Sequence, residues 1–221
     1  MLSPRKDLDE TPEREEPEKT GLERFWELIR EDLASLLIGN LLFLLTSIPV
    51  VTIPVSLYSL NMLMRKIVSG DAVSCAQDFF MVFKRDWKRA YGVFFLTAVP
   101  LGAGGFGAAF YLRRAADYPV LLALFAFCAA VFLAAALSSV YLYGLLYNGG
   151  TLRDTVKTSL VLGIAKPFRA VLAVLCYYAL PALALLYFPF SGAYLALLGF
   201  SLPCLLGNFY IRTVLARYAR F

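Results

Sequence analysis

The stretch that decides the fold is Phe79-Phe80-Met81-Val82-Phe83-Lys84-Arg85-Asp86-Trp87-Lys88-Arg89. At about 100° per residue in a helix, its aromatic residues share one face and its basic residues crowd the other. The aromatic set is Phe79, Phe80, Phe83 and Trp87, and the basic set is Lys84, Arg85, Lys88 and Arg89. Aromatic rings on one face and cations on the opposite face are typical of a helix lying on anionic lipid headgroups. We therefore predict an interfacial helix that leads into a membrane span and binds lipid or a protein partner.

Composition places most of the chain in a membrane. Of 221 residues, 60% are hydrophobic and 17% are charged, against about 25% charged in soluble domains. Several apolar runs reach about 20 residues, which is the length that crosses about 30 Å of hydrocarbon as a helix. Lipid offers the backbone no hydrogen-bond partner, so these runs should be helices. The predicted fold class is an all-α, polytopic membrane protein.

Charge divides the chain into two parts. Residues 1–20 carry four basic and seven acidic side chains with three prolines, and we predict a disordered charged tail there. Residues 21–221, the predicted single membrane domain, carry 17 basic and nine acidic side chains. We interpret this basic excess as the mark of cytoplasmic segments. Nucleic-acid binding is not expected, because no soluble basic domain exists to carry it.

The interfacial pattern recurs along the chain. The segment from Phe25 to Leu33 aligns without a gap on the segment from Phe79 to Trp87, and Asp32 then falls on Asp86. Thr20-Gly21-Leu22-Glu23 and Ser74-Cys75-Ala76-Gln77 read as capping boxes before these two copies. A weaker third copy begins at Thr151 and places Val156, Leu160 and Ile164 on one face. Its apolar run begins about one helical turn later than in the first two copies. A threefold internal repeat is predicted.

Each copy feeds an outgoing apolar run, and a second apolar run returns. The outgoing runs are Leu33 to Val51, Ala90 to Tyr111 and Phe168 to Tyr187, and the returning runs are Thr52 to Val68, Tyr118 to Tyr147 and Gly192 to Ile211. We therefore predict three hairpins with about six spans in a bacterial plasma membrane. Both termini and the interfacial helices would lie on its cytoplasmic side. Past residue 20, the cytoplasmic segments would hold 15 basic residues and the outer turns two. The rival arrangement has five spans, with Leu33 to Val68 as a single broken helix.

Several short motifs occur together between residues 40 and 90. They are Asn40-Leu41-Leu42, Ser47-Ile48-Pro49-Val50-Val51-Thr52-Ile53, Tyr58 with Arg65 and Gly70, Asp78-Phe79-Phe80, Phe83-Lys84, Trp87-Lys88 and Ala90. In this order they resemble the YesL-like family of bacterial integral membrane proteins, a domain of unknown function. The resemblance implies a membrane protein often encoded beside carbohydrate uptake and sensing systems. It implies no established activity, so no catalytic residue is carried over.

Residues for catalysis or metal binding are scarce. The chain has no histidine, which removes imidazole ligands and serine–histidine catalysis. Its four cysteines are far apart and form no CxxC pair, so they are interpreted as packing residues. After Asp32, no Asp or Glu falls within a predicted span, which argues against proton-coupled transport. We predict no enzyme activity, no catalytic residue, no metal site and no cofactor.

Asparagine is the polar residue found deepest in the predicted spans. Asn40, Asn61 and Asn208 are interpreted as interhelical hydrogen-bonding groups, because an unpaired amide is costly in lipid. The alternative is that they line a polar cavity together with Thr52. Small residues from Gly102 to Ala108 predict close helix packing, within the chain or in a homo-oligomer.

The expected function is that of a non-catalytic accessory or regulatory membrane protein, associated with carbohydrate uptake through the family resemblance. Its expected partners are anionic lipid headgroups and the subunits of membrane transporters. The alternative is a small membrane transporter or channel with a polar cavity near Asn40, Asn61 and Thr52.

Overall fold

The computed structural model of the protein describes residues 21–115, 118–147 and 151–218. The charged tail predicted for residues 1–20 lies outside the described residues. Every regular element in the described ranges is helical.

Eleven α-helices are described. They are α1 (Leu22–Glu31), α2 (Leu33–Thr46), α3 (Ile53–Ser69), α4 (Cys75–Arg85), α5 (Trp87–Arg114), α6 (Leu121–Tyr147), α7 (Leu152–Ala165), α8 (Pro167–Val174), α9 (Leu180–Leu186), α10 (Gly192–Leu197) and α11 (Ser201–Tyr218). A short 3₁₀ turn, Val50–Thr52, precedes α3, and a π-helical stretch, Leu175–Ala179, joins α8 to α9.

Within the described ranges, three helical segments are long and apolar enough to cross a membrane: Trp87–Arg114, Leu121–Tyr147 and Pro167–Leu186. Helix α2 is apolar but has only 14 residues, about 21 Å at 1.5 Å per residue. It ends at Thr46 rather than at the predicted Val51. The residue before a proline disfavours the helical region, and Pro49 itself is extended at φ −73° and ψ 111°.

The chain reverses between α2 and α3. A Cβ atom placed on Gly39 would lie 3.1 Å from the side chains of Leu63 and Met64, which a single continuous rod could not bring together. Helices α5 and α6 are also antiparallel, because Gly104 lies against Phe132 while Gly107 lies against Cys128. The small residues predicted to mediate packing therefore do so within the chain at Gly104 and Gly107.

Each interfacial helix is separated from the next helix by one break residue. Asp32 has φ −108° and ψ 19°, and Asp86 has φ −107° and ψ 17°. Lys166 takes the same place before α8 at φ −130° and ψ 57°. Each break residue still donates its backbone N–H to the carbonyl four residues earlier, at 2.9–3.0 Å. The helix axis can therefore change direction without leaving this hydrogen bond unmade.

Burial repeats at fixed distances from the three break residues. Four residues after the break, a side chain is almost fully buried in every copy: Leu36, Ala90 and Ala170. Seven residues after the break, the residue is again buried in every copy: Gly39, Val93 and Ala173. The buried positions thus occur at the same distance after each break residue in all three copies, which supports the predicted threefold repeat.

The helices also contact one another in a threefold pattern. Helices α3, α6 and α11 contact each other in the middle. Around them, α2 contacts α3 and α11, α5 contacts α3 and α6, and α8 contacts α6 and α11. The first helix after each break thus lies in a groove between two of the three central helices.

The third interfacial helix exposes two of the three apolar residues predicted to share a face. Leu160 and Ile164 on α7 are 40% and 74% exposed. Thr155, Ser159 and Gly163 are buried instead. Gly163 lies against the backbone of Leu137 and Ser138 on α6, and a Cβ atom there would sit at 3.3 Å. Close approach favours small residues, so the bulky apolar side chains point outward.

Of the two predicted capping boxes, the one at Ser74 does not form, and the one at Thr20 is only partly described. Helix α1 begins after Gly21, which has φ 75° and no side-chain cap bond. Thr20, the other predicted capping residue, lies outside the described residues. Ser74 does precede α4, but its side chain makes no cap bond, and its backbone N–H donates to Asp78 Oδ2 at 2.8 Å rather than to Gln77.

Candidate functional site

Helix α4 packs on α2 and α3 through only part of its aromatic face. Phe79 is fully buried in the core, and Phe83 is half-buried against it. Phe80 and Trp87 are 39% and 49% exposed. The prediction that all four rings share one face of a single helix is therefore wrong in two respects. Phe79 is a core residue, and Trp87 lies on α5, after the break at Asp86. Phe80 and Trp87 remain available to lipid or a partner.

The first copy divides its rings in the same way. Phe25, equivalent to Phe79, is buried against Phe209, with ring centroids 5.3 Å apart. Trp26, equivalent to Phe80, is 58% exposed. The first ring of each pair therefore anchors the interfacial helix to the bundle, and the second ring faces outward.

The predicted basic face is solvent-accessible. Lys84, Arg85 and Lys88 are exposed, and Arg89 is partly exposed. Arg85 Nη2 pairs with Asp86 Oδ2 at 2.8 Å, and Lys88 Nζ lies 5.4 Å from the centroid of the Trp87 ring. Exposed ion pairs contribute about 0–1 kcal/mol, so these cations can exchange partners at low cost.

The loop between α3 and α4 is held by Asp78. Its Oδ2 accepts from Lys66 Nζ at 2.7 Å and from the Ser74 backbone N–H at 2.8 Å. Partial burial acts to raise the pKa of Asp78. The Lys66 and Ser74 hydrogen bonds and the Lys66 charge outweigh it, so that pKa lies below its ordinary value. Asp78 thus fixes α4 to the end of α3 as a carboxylate.

A cleft of about 180 Å³ lies behind the basic face of α4. Its walls come from the end of α3, the length of α4, the start of α5 and the end of α6. The charged side chains that line it are Lys66, Asp78, Arg85, Asp86 and Arg89. Tyr58 and Tyr147 add hydroxyl groups, and the Tyr58 hydroxyl hydrogen-bonds to Arg89. The cleft therefore combines cations, carboxylates and neutral hydroxyls.

Arg65 is a buried cation next to this cleft. It is 6% exposed, and its Nε and Nη1 atoms have no hydrogen-bond partner. Tyr147, which lines the cleft, donates its hydroxyl hydrogen to Asp71 Oδ2 at 2.6 Å. Unpaired guanidinium nitrogens in such a place are unusual, because burying a charge without partners is costly.

The asparagines predicted for a cavity do not meet in one place. Asn40 lies where α10 ends and α11 begins. Its Nδ2 donates to the carbonyls of Leu195 and Ala196 at 2.9 and 2.8 Å. Its Oδ1 accepts from the backbone N–H groups of Phe200 and Ser201 at 2.9 and 3.2 Å. One side chain thus bridges both ends of an interrupted helix.

Asn61 and Asn208 lie together near Cys204. Asn61 Nδ2 donates to the carbonyl of Leu57 and to the Tyr177 hydroxyl, and its Oδ1 accepts from the Cys204 thiol at 3.2 Å. Asn208 Nδ2 donates to the carbonyl of Cys204 at 3.0 Å. These amides join α3, α11 and the π-helical stretch, as the hydrogen-bonding interpretation predicts.

Thr52 lies apart from the asparagines, in the turn before α3. Its hydroxyl bonds to the carbonyls of Thr46 and Pro49. Its role in the described residues is to hold the chain reversal between α2 and α3. The structure therefore does not bring Thr52 and the three asparagines together around one cavity.

Within residues 21–115, 118–147 and 151–218, no group of three His, Cys, Asp or Glu side chains is placed to hold a metal ion. Cys204 is buried, and Cys75, Cys128 and Cys176 are half-buried and unpaired with each other.

The sequence did not identify the residues that complete the cleft. Lys66, Tyr58 and Tyr147 are distant in the chain from the basic stretch, and their approach depends on how α3 and α6 pack. Asp78 is four residues after Ser74, a spacing that could have suggested the hydrogen bond between them.

The chain matches a family described as "Protein of unknown function, DUF624" over residues 36–104. This segment is about a third of the chain and runs from α2 into α5, so it includes α4 and most of the cleft walls. No curated protein and no solved structure matches the chain.

Proposed function

We propose that this protein is a non-catalytic accessory or regulatory protein of the bacterial plasma membrane. It crosses the bilayer about six times as three hairpins and has both termini in the cytoplasm. Its α4 surface binds anionic lipid headgroups and a membrane transporter subunit. The three long apolar helices and the threefold contact pattern support this arrangement.

The observation that carries the proposal is the exposed surface at the junction of α4 and α5. Three exposed cations, Lys84, Arg85 and Lys88, lie beside the exposed rings of Phe80 and Trp87. The surface lies where α5, which is long enough to span, begins. Cations attract anionic headgroups, and aromatic rings favour the headgroup level.

The interior supports a packed role over proton-coupled transport. The amides of Asn40, Asn61 and Asn208 bond to groups of the protein itself. The three span-length segments contain no Asp or Glu. A proton-coupled transporter usually keeps a carboxylate there, since its protonation couples the ion to the substrate.

The link to carbohydrate uptake rests on the resemblance to the YesL-like family. The family match over residues 36–104 covers the same region as the motifs that carry this resemblance. The substrate of the partner transporter is therefore proposed to be a carbohydrate.

Co-purification with carbohydrate permease subunits encoded nearby tests the proposal. We expect the full-length protein to retain such a subunit, and a variant with Lys84, Arg85, Lys88 and Arg89 changed to glutamate to retain at least about tenfold less. The control is Arg153→Glu with Lys157→Glu on α7, which reverses two exposed charges on another interfacial helix. Equal loss in the control would contradict a specific α4 surface.

Topology can be tested separately with reporters. A reporter that is active only outside the cytoplasm should be active when fused after Arg114 and silent when fused after Gly70. The same result at both positions would disprove the six-span arrangement.

A small transporter or channel is the second candidate, and the interruption between α10 and α11 favours it. Interrupted helices commonly line substrate or ion sites. Beside this interruption, the Ser201 hydroxyl is fully buried and has no hydrogen-bond partner. If the purified protein, reconstituted alone in liposomes, transports a sugar or an ion, this candidate is established and the accessory function is disproved.

A further inference from the structure

The cleft behind α4 carries a mixed set of charges. Three cations, Lys66, Arg85 and Arg89, face it together with two carboxylates, Asp78 and Asp86. A site for a simple anion would be expected to exclude carboxylates, since like charges repel. A ligand that carries one negative and one positive group suits this lining better.

The size of the cleft limits the ligand. Its volume of about 180 Å³ is below the 300–1,000 Å³ of sites that hold drug-sized molecules. A phosphate with a short amine arm is small enough to enter, and a disaccharide is not.

The place of the cleft indicates a lipid rather than a soluble molecule. It lies at the start of α5, a helix long enough to span a membrane. Met81, which also lines the cleft, is 55% exposed, and Trp87 next to it is 49% exposed. These apolar side chains can cover the glycerol and upper acyl region of a lipid whose headgroup enters the cleft.

We propose that the cleft binds the headgroup of phosphatidylethanolamine. Arg85 and Arg89 donate hydrogen bonds to its phosphate, and Asp86 accepts a hydrogen bond from its ammonium group. Arg85 now pairs with Asp86, but this ion pair is exposed and is exchanged easily. The inference rests on the proposed membrane function, and it adds the identity of the bound headgroup.

Two neighbouring features support the assignment. Lys66 and Asp78 form a closed pair at 2.7 Å that shapes one wall. Arg65, which interacts electrostatically with the cleft residue Tyr147, is buried with two unpaired guanidinium nitrogens, and its charge adds to the attraction for a phosphate.

The test is a titration of the purified full-length protein in non-ionic detergent, with bound lipid counted by native mass spectrometry. The probes are phosphatidylethanolamine, phosphatidylcholine and phosphatidylglycerol with the same short acyl chains. We expect phosphatidylethanolamine to bind about tenfold more tightly than phosphatidylcholine, because a quaternary ammonium cannot donate a hydrogen bond to Asp86.

Variants of the protein test the phosphate contact and the ammonium contact separately. Arg85→Gln with Arg89→Gln should weaken the binding of every phospholipid about tenfold. Asp86→Asn should abolish the preference for phosphatidylethanolamine while leaving phosphatidylcholine binding unchanged, which a merely structural role would not produce. Arg153→Gln with Lys157→Gln removes the same charge from α7 and should leave both affinities unchanged. If the double arginine variant fails to fold, Asp86→Asn still decides the outcome.

Three results would overturn the inference. Equal binding of phosphatidylethanolamine and phosphatidylcholine would show that the ammonium group does not bind to Asp86. Tighter binding of phosphatidylglycerol that persists after Lys84→Gln with Lys88→Gln, which removes two surface cations outside the cleft, would show a cleft site for anions alone. Displacement of the lipid by an equal concentration of glycerophosphoethanolamine would assign the cleft to a soluble ligand. Failure here leaves permease co-purification intact, so the inference and the proposed function can fail separately.

Discussion

Two polar regions of this protein differ in how they are satisfied. At the interruption between α10 and α11, Asn40 is fully buried and makes four hydrogen bonds to the backbone. At the junction of α4 and α5, Lys84 and Lys88 are exposed. Buried polar groups must find partners inside the protein, whereas exposed ones keep their bonding capacity for water or a ligand. The first region therefore holds the fold, and the second is available for binding.

The largest effect on stability is expected at Asn40. Asn40→Leu leaves the carbonyls of Leu195 and Ala196 and the N–H groups of Phe200 and Ser201 without their partner. At about 1–3 kcal/mol for each unsatisfied buried group, with relaxation recovering part of it, the loss should be at least about 3 kcal/mol. Reversible unfolding in mixed micelles, followed by circular dichroism, measures it.

Asn61→Leu is the control for this change. Asn61 loses fewer backbone bonds, since its Oδ1 accepts from a thiol and one of its donor bonds goes to a hydroxyl. A loss at Asn40 no greater than at Asn61 would contradict the bridging role of Asn40.

The second effect concerns the apolar contact between α5 and α6. A Cβ atom on Gly104 would lie 2.9 Å from the Phe132 backbone nitrogen, and nothing lies within 4 Å of the same atom on Gly102. Gly104→Ala should therefore cost about 1–3 kcal/mol by forcing the helices apart. In the same unfolding measurement, Gly102→Ala should cost nothing. Equal values for the two variants would disprove the close contact.

A smaller effect on stability is expected at Asp78, whose side chain is less buried than Asn40 and less exposed than Lys84. Its folded pKa lies below its ordinary value of 3.8. The carboxylate therefore stabilises the fold at a pH above its unfolded pKa, and this contribution disappears as the pH falls through the folded pKa. Asp78→Asn should cost about 1 kcal/mol at neutral pH.

The pH dependence of unfolding is the check on Asp78. The difference in unfolding free energy between wild type and Asp78→Asn should shrink as the pH is lowered below about 4. A difference that stays constant down to pH 2 would show that the ion pair with Lys66 does not stabilise the fold.

The smallest effect on stability is expected on the exposed surface. Lys84→Gln should change the free energy of unfolding by less than about 0.5 kcal/mol, because surface substitutions rarely do more. Its effect should appear instead as weaker binding to vesicles that contain anionic lipid, measured by sedimentation of nanodisc-bound protein with those vesicles. A large loss of stability would mean that Lys84 has a structural role.

Residue patterns alone predicted the surface better than the core. Periodicity identified the helix containing Phe79 and the register that places Asp32 on Asp86, because amphipathic spacing is a local property. It did not separate Phe79, which is buried, from Phe80, which is exposed. Both rings lie on the apolar side of the helix, and only the contacts of α4 with α2 and α3 distinguish them.

The third copy shows that apolar spacing identifies a shared face but not the direction in which it points. Leu160 and Ile164 were predicted to lie on one face of the helix, and the structure directs both of them outward. In water a bulky apolar face is driven inward, whereas a lipid-facing surface gives no such preference. Close packing then selects small residues such as Gly163 for the buried side.

By itself, the sequence determined the helical class, the recurrence of an interfacial segment before each outgoing apolar run, and the cationic stretch, because composition and spacing act over a few turns. The break residues that separate each interfacial helix from the next helix appear only in the structure. The tertiary structure decided which helices meet. It placed Asn40 at a break more than 150 residues away, and it brought Lys66, Tyr58 and Tyr147 to the cleft behind α4. Such approaches depend on the packing of distant helices, which no local pattern records.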